Sequence, residues 1–367
     1  MKPSRETCLH REYIIPLGVG YARKLAEEPA GFVGVPQGGT LFYCKTLPLI
    51  HLIIINEEGH SMSKKLVSLF LAVLMIFSMT AVMAEDSAIT VTDMFGREVT
   101  LSEPATRIVV MQPSDCEILC AIGCEDAIVG RGQYVDYPAS ILEVPVVQSG
   151  ENTNIEEILA LNPQVVLMND MDQSEEQVKQ LEDNGVKVVV SKATDIEGVY
   201  FAIRMIGKLM GKDDAAEAVI ADMQATFDEI KANSKNEGKS VYFEVSPLQW
   251  GLWTAGKGTF MDELAEMCGL TNAFADLNDW ASISEEQVLA RDPDYIVTIT
   301  MYYGEGPTPV EEILSRKGWG ELKAVKNGDI LNAESNAISR PGPRLKDAAI
   351  ELYNFINGIK TEEKPAA

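Results

Sequence analysis

One segment pattern occurs twice in this chain and limits the folds open to it. NIEEILALNPQVVLM places Glu156 seven residues before Pro163, and SEEQVLARDPDYIVT places Glu286 seven residues before Pro293. Both read Glu-x-[Ile/Val]-Leu-Ala-x-x-Pro and run into a short apolar stretch. An acid in the first turn complements the helix dipole, the proline stops the helix, and the apolar run is a buried strand. The unit is common in α/β folds, so its recurrence predicts shared structure before shared function. EILCAIG from Glu117 and ELAEMCG from Glu263 form a weaker echo.

The rest of the chain fits an α/β alternation. ITVTDMFGREVTL predicts a hairpin turning at Phe95-Gly96-Arg97, and RIVVM a strand. Ser114 with Glu117 three later predicts a capping box for the helix carrying Cys116, Cys120 and Cys124, which Gly123 ends. AIVGRGQYVDYP is a strand followed by an aromatic loop; VVLMND and VKVVVS are further strands, each after a helical stretch. From Asp195 the pattern becomes one long helical stretch, interrupted only by Gly198, Gly207 and Gly211; its second half, from Lys212 to Ser234, is long enough to cross a domain. SVYFEVS, TFMDELAEMCGL, SEEQVLAR, DYIVTIT, DILNA and a last helix from Leu345 to Ile356 form a second series. Strands alternating with helices predict largely parallel sheets.

MSKKLVSLFLAVLMIFSMTAVMAED, from Met62, has the charged, apolar and small-residue grammar of a secretory signal peptide over residues 62–84. As a helix, Leu66 to Phe77 spans about 18 Å, short of a bilayer core of roughly 30 Å, which favours cleavage after Ala84. An uncleaved anchor is the alternative; no cysteine follows the run to take a lipid. Residues 1–61 lack a sustained period or a core of their own. Glu57-Glu58-Gly59 back-translates to a purine-rich string resembling a ribosome-binding site just before Met62, so residues 1–61 are expected to be untranslated leader.

The first 84 residues hold all three histidines, His10, His51 and His60, with eight basic and six acidic residues. Of 31 basic and 55 acidic residues, 23 and 49 then remain, a net charge of −26. Such a balance repels nucleic acid and anionic lipid. Loss of every histidine excludes Ser-His-Asp and zinc-histidine mechanisms. The cysteine stripe reads as small apolar side chains on a buried face rather than a metal or redox site, because one helix face cannot surround a tetrahedral ion. GLWTAGKGT nearly matches a phosphate loop, but Gly258 stands where a hydroxyl should coordinate magnesium.

Taken in order, TDMFGREV, RIVVMQPSDCEIL, VGRGQYVDYP, NIEEILALNP, WASISEEQVLARDPDYIV, LKAVKNGDI and RPGPRL resemble the substrate-binding proteins of ABC importers for iron complexes and cobalamin. The resemblance covers nearly everything from Ile89 to Ile356. It implies an α/β fold of two Rossmann-like lobes, 85–206 and 237–360, joined by a single long α-helix over 207–236, with the ligand cleft between them; residues 361–367 are expected to form a disordered tail. It also implies an extracytoplasmic protein that delivers a small-molecule metal complex to a permease dimer with its ATPase, performs no catalysis and carries no cofactor. Members of the family dock one glutamate per lobe onto permease arginines, which assigns Glu156 and Glu286; a two-fold partner is matched by two similar patches.

Family positions also carry ligand contact onto Tyr134, Trp280 and Arg340. Trp250, Trp253, Tyr302 and Tyr303 are added as aromatics in polar loops, with core packing as the alternative; Arg131, Lys257 and Asn336 are supplementary polar candidates. Arg340 suits bidentate bonds to carboxylate, catecholate or phosphate, and a salt bridge to a neighbouring acid is its other reading. A ferric siderophore is the first expected cargo and a corrinoid the second; Gly150, where some relatives carry an aromatic, argues against a close cobalamin-like pocket. Haem would need tyrosine or methionine as axial ligand. An exported carboxylate-dependent hydrolase and a surface sensor or adhesin are the readings from other classes.

Overall fold

The computed structural model describes residues 88–150, 153–169, 174–235, 237–301 and 306–359. The predicted leader, the signal peptide, Tyr302, Tyr303 and the 361–367 tail lie outside the described residues. The described residues open with an antiparallel hairpin of β1 (Ile89–Thr92) and β2 (Glu98–Leu101), turning where the sequence predicts. Asp93 fixes the turn: its buried carboxylate accepts the N–H groups of Phe95 and Arg97 and pairs with the Arg97 guanidinium at 2.8 Å.

The first lobe is a parallel sheet of β3 (Ile108–Val110), β4 (Ile128–Gly132), β5 (Val146–Val147), β6 (Val165–Met168) and β7 (Lys187–Val190), in the order β5-β4-β3-β6-β7. Its helices are α1 (Pro113–Ala121), α2 (Ile155–Ala160), α3 (Glu175–Asp183) and α4 (Ile196–Leu209). After α5 (Asp213–Asn233) comes the second parallel sheet, ordered β10-β8-β12-β13 and built from β8 (Ser240–Glu244), β10 (Thr271–Asn272), β12 (Tyr295–Thr298) and β13 (Ile330–Asn332). A separate antiparallel pair joins β9 (Trp253–Ala255) to β11 (Trp280–Ser282). The remaining helices are α6 (Phe260–Met267), α7 (Glu285–Arg291), α8 (Pro309–Ser315), α9 (Lys323–Asn327), α10 (Ser335–Ser339) and α11 (Leu345–Ile356).

Both sheets are covered on both faces, which is why their strands read as unbroken apolar runs. In β6, Val166 and Met168 join Val109, Ile158, Leu181 and Val188 on one side, while Val165 and Leu167 face the other. The second side continues into a single core that also holds Val241, Phe243 and Val297 of the second sheet, Ile220, Met223 and Phe227 of α5, and Leu345 and Leu352 of α11. The two lobes therefore share one apolar interior, built around α4, α5 and α11.

Two helix expectations need correction. The stretch from Asp195 is two helices, broken at Met210-Gly211-Lys212, where Gly211 adopts φ +61 with Pro104 packed against it. The spanning helix proper has 21 residues and runs about 31 Å. The supposed capping box at Ser114 and Glu117 is absent: Pro113 occupies the first turn, the N-cap Gln112 donates its side-chain amide to the Ser114 hydroxyl and caps no backbone N–H, and both predicted capping residues are buried. Cys124 lies beyond that helix, which ends at Ala121 with Gly123 at φ +75.

Gly207 marks the tightest approach of α4 to α5. A Cβ there would fall 2.5 Å from the Cβ of Ala216, closer than side chains approach. Gly207→Val is expected to push the two helices apart and cost about 1–3 kcal/mol, read as a lower urea midpoint. An unchanged midpoint would mean that the helices are not locked there.

Candidate functional site

The repeated segments fold alike in detail. Asn154 caps α2 by accepting the Glu157 N–H, and Ser284 caps α7 in a full capping box with Gln287. Ile158 and Val288 are fully buried and pin each helix to its sheet. Each helix then leaves through a left-handed residue, Asn162 at φ 49 and Asp292 at φ 46, directly before the proline. A residue before proline is pushed out of the right-handed helical region, and Asn and Asp tolerate the left-handed one best. Glu156 and Glu286 thus both occupy the second position of a short helix, and both are exposed. Hydrogen bonding from Ser284 and then from backbone N–H at the helix start holds the Glu286 carboxyl below its ordinary range. The neighbours differ: Glu285 accepts the Trp319 indole N–H at 2.8 Å, whereas the matching residue in the first lobe is Ile155.

The second feature lies between the lobes. The loop after β4 meets the RPGPR segment after α10. Arg340 Nη1 lies 3.1 Å from Glu117 Oε1 and 2.8 Å from Asp136 Oδ1, and its other nitrogen donates to the Tyr134 carbonyl at 3.5 Å. Arg344 shares the same Glu117 oxygen at 3.4 Å, pairs with Glu334, and stacks 4.1 Å from the Tyr137 ring centroid. Glu117 is buried; desolvation pushes its carboxyl up, against the pull of the two arginines. Its second oxygen has no hydrogen-bond partner among the described residues. Close by on α1, the Asp115 oxygens lie 2.7 and 2.8 Å from the Ser191 hydroxyl, and burial raises that carboxyl to about 7.

Of the predicted aromatics, Trp250 is 76% and Tyr134 70% exposed, and Trp253 and Trp280 are partly exposed. Pairing of β9 with β11 sets Trp280 opposite Ala255 and Trp253 opposite Ser282, so the two tryptophans form a diagonal pair on one face. Trp280 is braced edge-on by Phe260, with ring centroids 5.5 Å apart.

The supplementary polar residues divide. Arg131 is buried in its own lobe and donates to the carbonyls of Val135, Leu142 and Val144, at 2.8, 3.3 and 3.2 Å. Three of its donors brace the loop that carries Tyr134, a structural role in place of the ligand contact expected of it. Lys257 is exposed beside β9. Asn336 sits on α10 with its side-chain oxygen buried and without a partner among the described residues. Arg340 itself takes the salt-bridge reading, with acids from the opposite lobe. Sequence reasoning missed Glu117, Asp136 and Arg344 as its companions, although the last two stand inside the motifs YVDYP and RPGPR.

The cysteines behave as small apolar groups. Cys116 and Cys124 are buried and Cys120 half-buried; a shared hydrogen bond with Cys120 and burial push the Cys116 thiol up, away from the reactive thiolate. Among the described residues no group of three or more histidine, cysteine or acidic side chains could hold a metal ion, and no helix is long and apolar enough to cross a membrane.

Comparison with known proteins accounts for this arrangement. Residues 108–337 match the family described as Periplasmic binding protein. The chain is 34% identical over 275 residues to the ABC transporter substrate-binding lipoprotein YvrC of Bacillus subtilis, covering 73% of this chain and 85% of that one. It is 29% identical over 260 residues to the vitamin B12-binding protein of Salmonella typhi, covering 70% and 91%. The crystal structure of a possible iron-binding (periplasmic solute-binding) protein of Staphylococcus epidermidis superposes with a TM-score of 0.60 at 29% identity, over 69% of this chain and 99% of that one. Two parallel-sheet lobes on a helical spine, a paired helix start on each lobe and this similarity place the chain in the periplasmic binding protein family, among the substrate-binding proteins of ABC importers.

Proposed function

We propose that this protein captures a charge-neutral corrinoid outside the cytoplasm and passes it, unaltered, to an ABC permease and its ATPase. The observation that carries the choice of cargo is the state of Arg340. The ferric siderophore expected first needed that guanidinium free to meet an anionic complex, and here Glu117 and Asp136 hold it. An uncharged macrocycle needs no such cation; it needs aromatic faces and polar groups for its amides. Tyr134, Trp250, Trp253 and Trp280 offer the exposed faces, and the nearby loop backbone the polar groups. With Gly150 in place of an aromatic, stacking falls to these four side chains. The vitamin B12-binding relative from Salmonella typhi supports the same class.

Release at the membrane follows from docking through Glu156 and Glu286, and export from the signal peptide at Met62. The test is equilibrium titration of the purified protein with cyanocobalamin, an anionic ferric tricatecholate and hemin, with recovery of intact cargo. Cyanocobalamin is expected to bind most tightly, and Trp280→Ala to weaken it about tenfold. Tighter binding of the ferric tricatecholate, or chemical conversion of the corrinoid, would defeat the reading.

A further inference from the structure

The ion network between the lobes is layered. At its centre Glu117, with a side chain only 2% exposed, is shared by Arg340 and Arg344, whose side chains are 11% and 16% exposed. These three buried groups sum to one positive charge. Each arginine is then met on its outer side by a half-exposed acid: Asp136 on Arg340 at 2.8 Å, with 46% of its side chain exposed, and Glu334 on Arg344. Glu334 also caps α10 by accepting the N–H groups of Asn336 and Ala337, so its position serves the local fold. Among the described residues Asp136 has no such second duty: it sits in the loop after β4, and the pair with Arg340 is the contact its carboxylate makes in the network.

We propose that Asp136 is a specificity-determining residue, a built-in carboxylate that fills the outer side of Arg340 and so discriminates against cargo bearing a carboxylate of its own. The inference rests on the neutral-cargo reading. An anionic group reaching Arg340 must break the Asp136 pair and then share the space with two carboxylates, Asp136 and Glu117. One carboxylate merely replaces another, so the incoming group gains no new ion pair while losing its water. A neutral amide at the same place leaves the pair intact. Because Glu117 is buried and doubly bound, ligand cannot displace it; the outer acid alone sets the preference.

The discriminating experiment compares two matched ligand pairs on the purified exported protein: cyanocobalamin with its monocarboxylate derivative, and hemin dimethyl ester with hemin. The readout is the ratio of Kd for the acid to Kd for its neutral partner. Wild type is expected to disfavour the acid member about fivefold, the scale of a part-exposed ion pair. Asp136→Asn is expected to bring the ratio close to one, and Asp136→Glu, which keeps the charge, to retain it. A ratio in Asp136→Asn equal to that of wild type overturns the proposal, as does a wild type that prefers the acids or binds neither pair. If only the hemin pair binds and its ratio still falls in Asp136→Asn, the charge filter stands and the corrinoid reading fails.

Discussion

If the proposed docking role holds, reversing both charges, Glu156→Lys with Glu286→Lys, is expected to abolish uptake of the proposed corrinoid by the host while leaving the affinity of the purified protein for cyanocobalamin within about twofold. Both side chains project into solvent from the second position of a capped helix whose inner face is anchored by Ile158 or Val288. The charges are therefore held at fixed points on rigid supports, as pairing with two partner arginines requires. Lysine at a helix start opposes the dipole by only about 0.3–1 kcal/mol, too little to unfold a lobe. Opposing like charges across the docking interface cost several times more, and the two lobes act together, so the double variant loses far more than either single one. Uptake of labelled cyanocobalamin in a strain carrying only the double variant measures this. Wild-type uptake would remove both residues from the docking role.

A second large effect is expected from Glu244→Ala, in an ion pair separate from the Arg340 network. Glu244 ends β8 and meets Arg316 through two bonds of 2.6 and 2.9 Å, with side chains 1% and 2% exposed. Arg316 is also bonded to Glu312 and lies 4.4 Å from the Trp319 ring centroid. Removing Glu244 leaves a guanidinium enclosed with only a part-exposed partner, and the loss of such a pair typically costs about 3–5 kcal/mol. The urea midpoint should fall accordingly. Adding Arg316→Met should recover much of the loss, because an apolar side chain has no charge to leave unpaired. A single variant as stable as wild type would show that water reaches this pair.

The two-lobed plan was legible in the sequence because buried parallel strands leave continuous apolar runs, and VVLM and YIVT sit at matching distances behind matching prolines. The left-handed Asn162 and Asp292 were implicit in the same pattern, since each precedes its proline. The interlobe network was not legible. Glu117 meets Arg340 across 223 positions of chain, and so distant an ion pair imprints no local period. A local rule instead claimed Glu117 as a helix cap, and Pro113 made that rule inapplicable by starting the helix itself. Arg131 and Arg340 were both read as cargo contacts because residue type and nearness to a loop are visible in a sequence, whereas the identity of the acceptor is not. The break at Gly211 was marked by its glycine, yet only the packing of Pro104 shows why the chain turns there.

The interior common to both lobes bears on the energetics of delivery. A protein whose halves were separate bodies on a loose tether would open and shut spontaneously, and its cargo would escape as easily as it entered. Here Phe227, Val297, Leu167 and Leu352 belong to one packed mass, so prising the halves apart would disturb side chains far from the cargo. Under the proposed function, retention is then the resting condition, and unloading takes mechanical work of the kind that the proposed ATP-driven partner would supply.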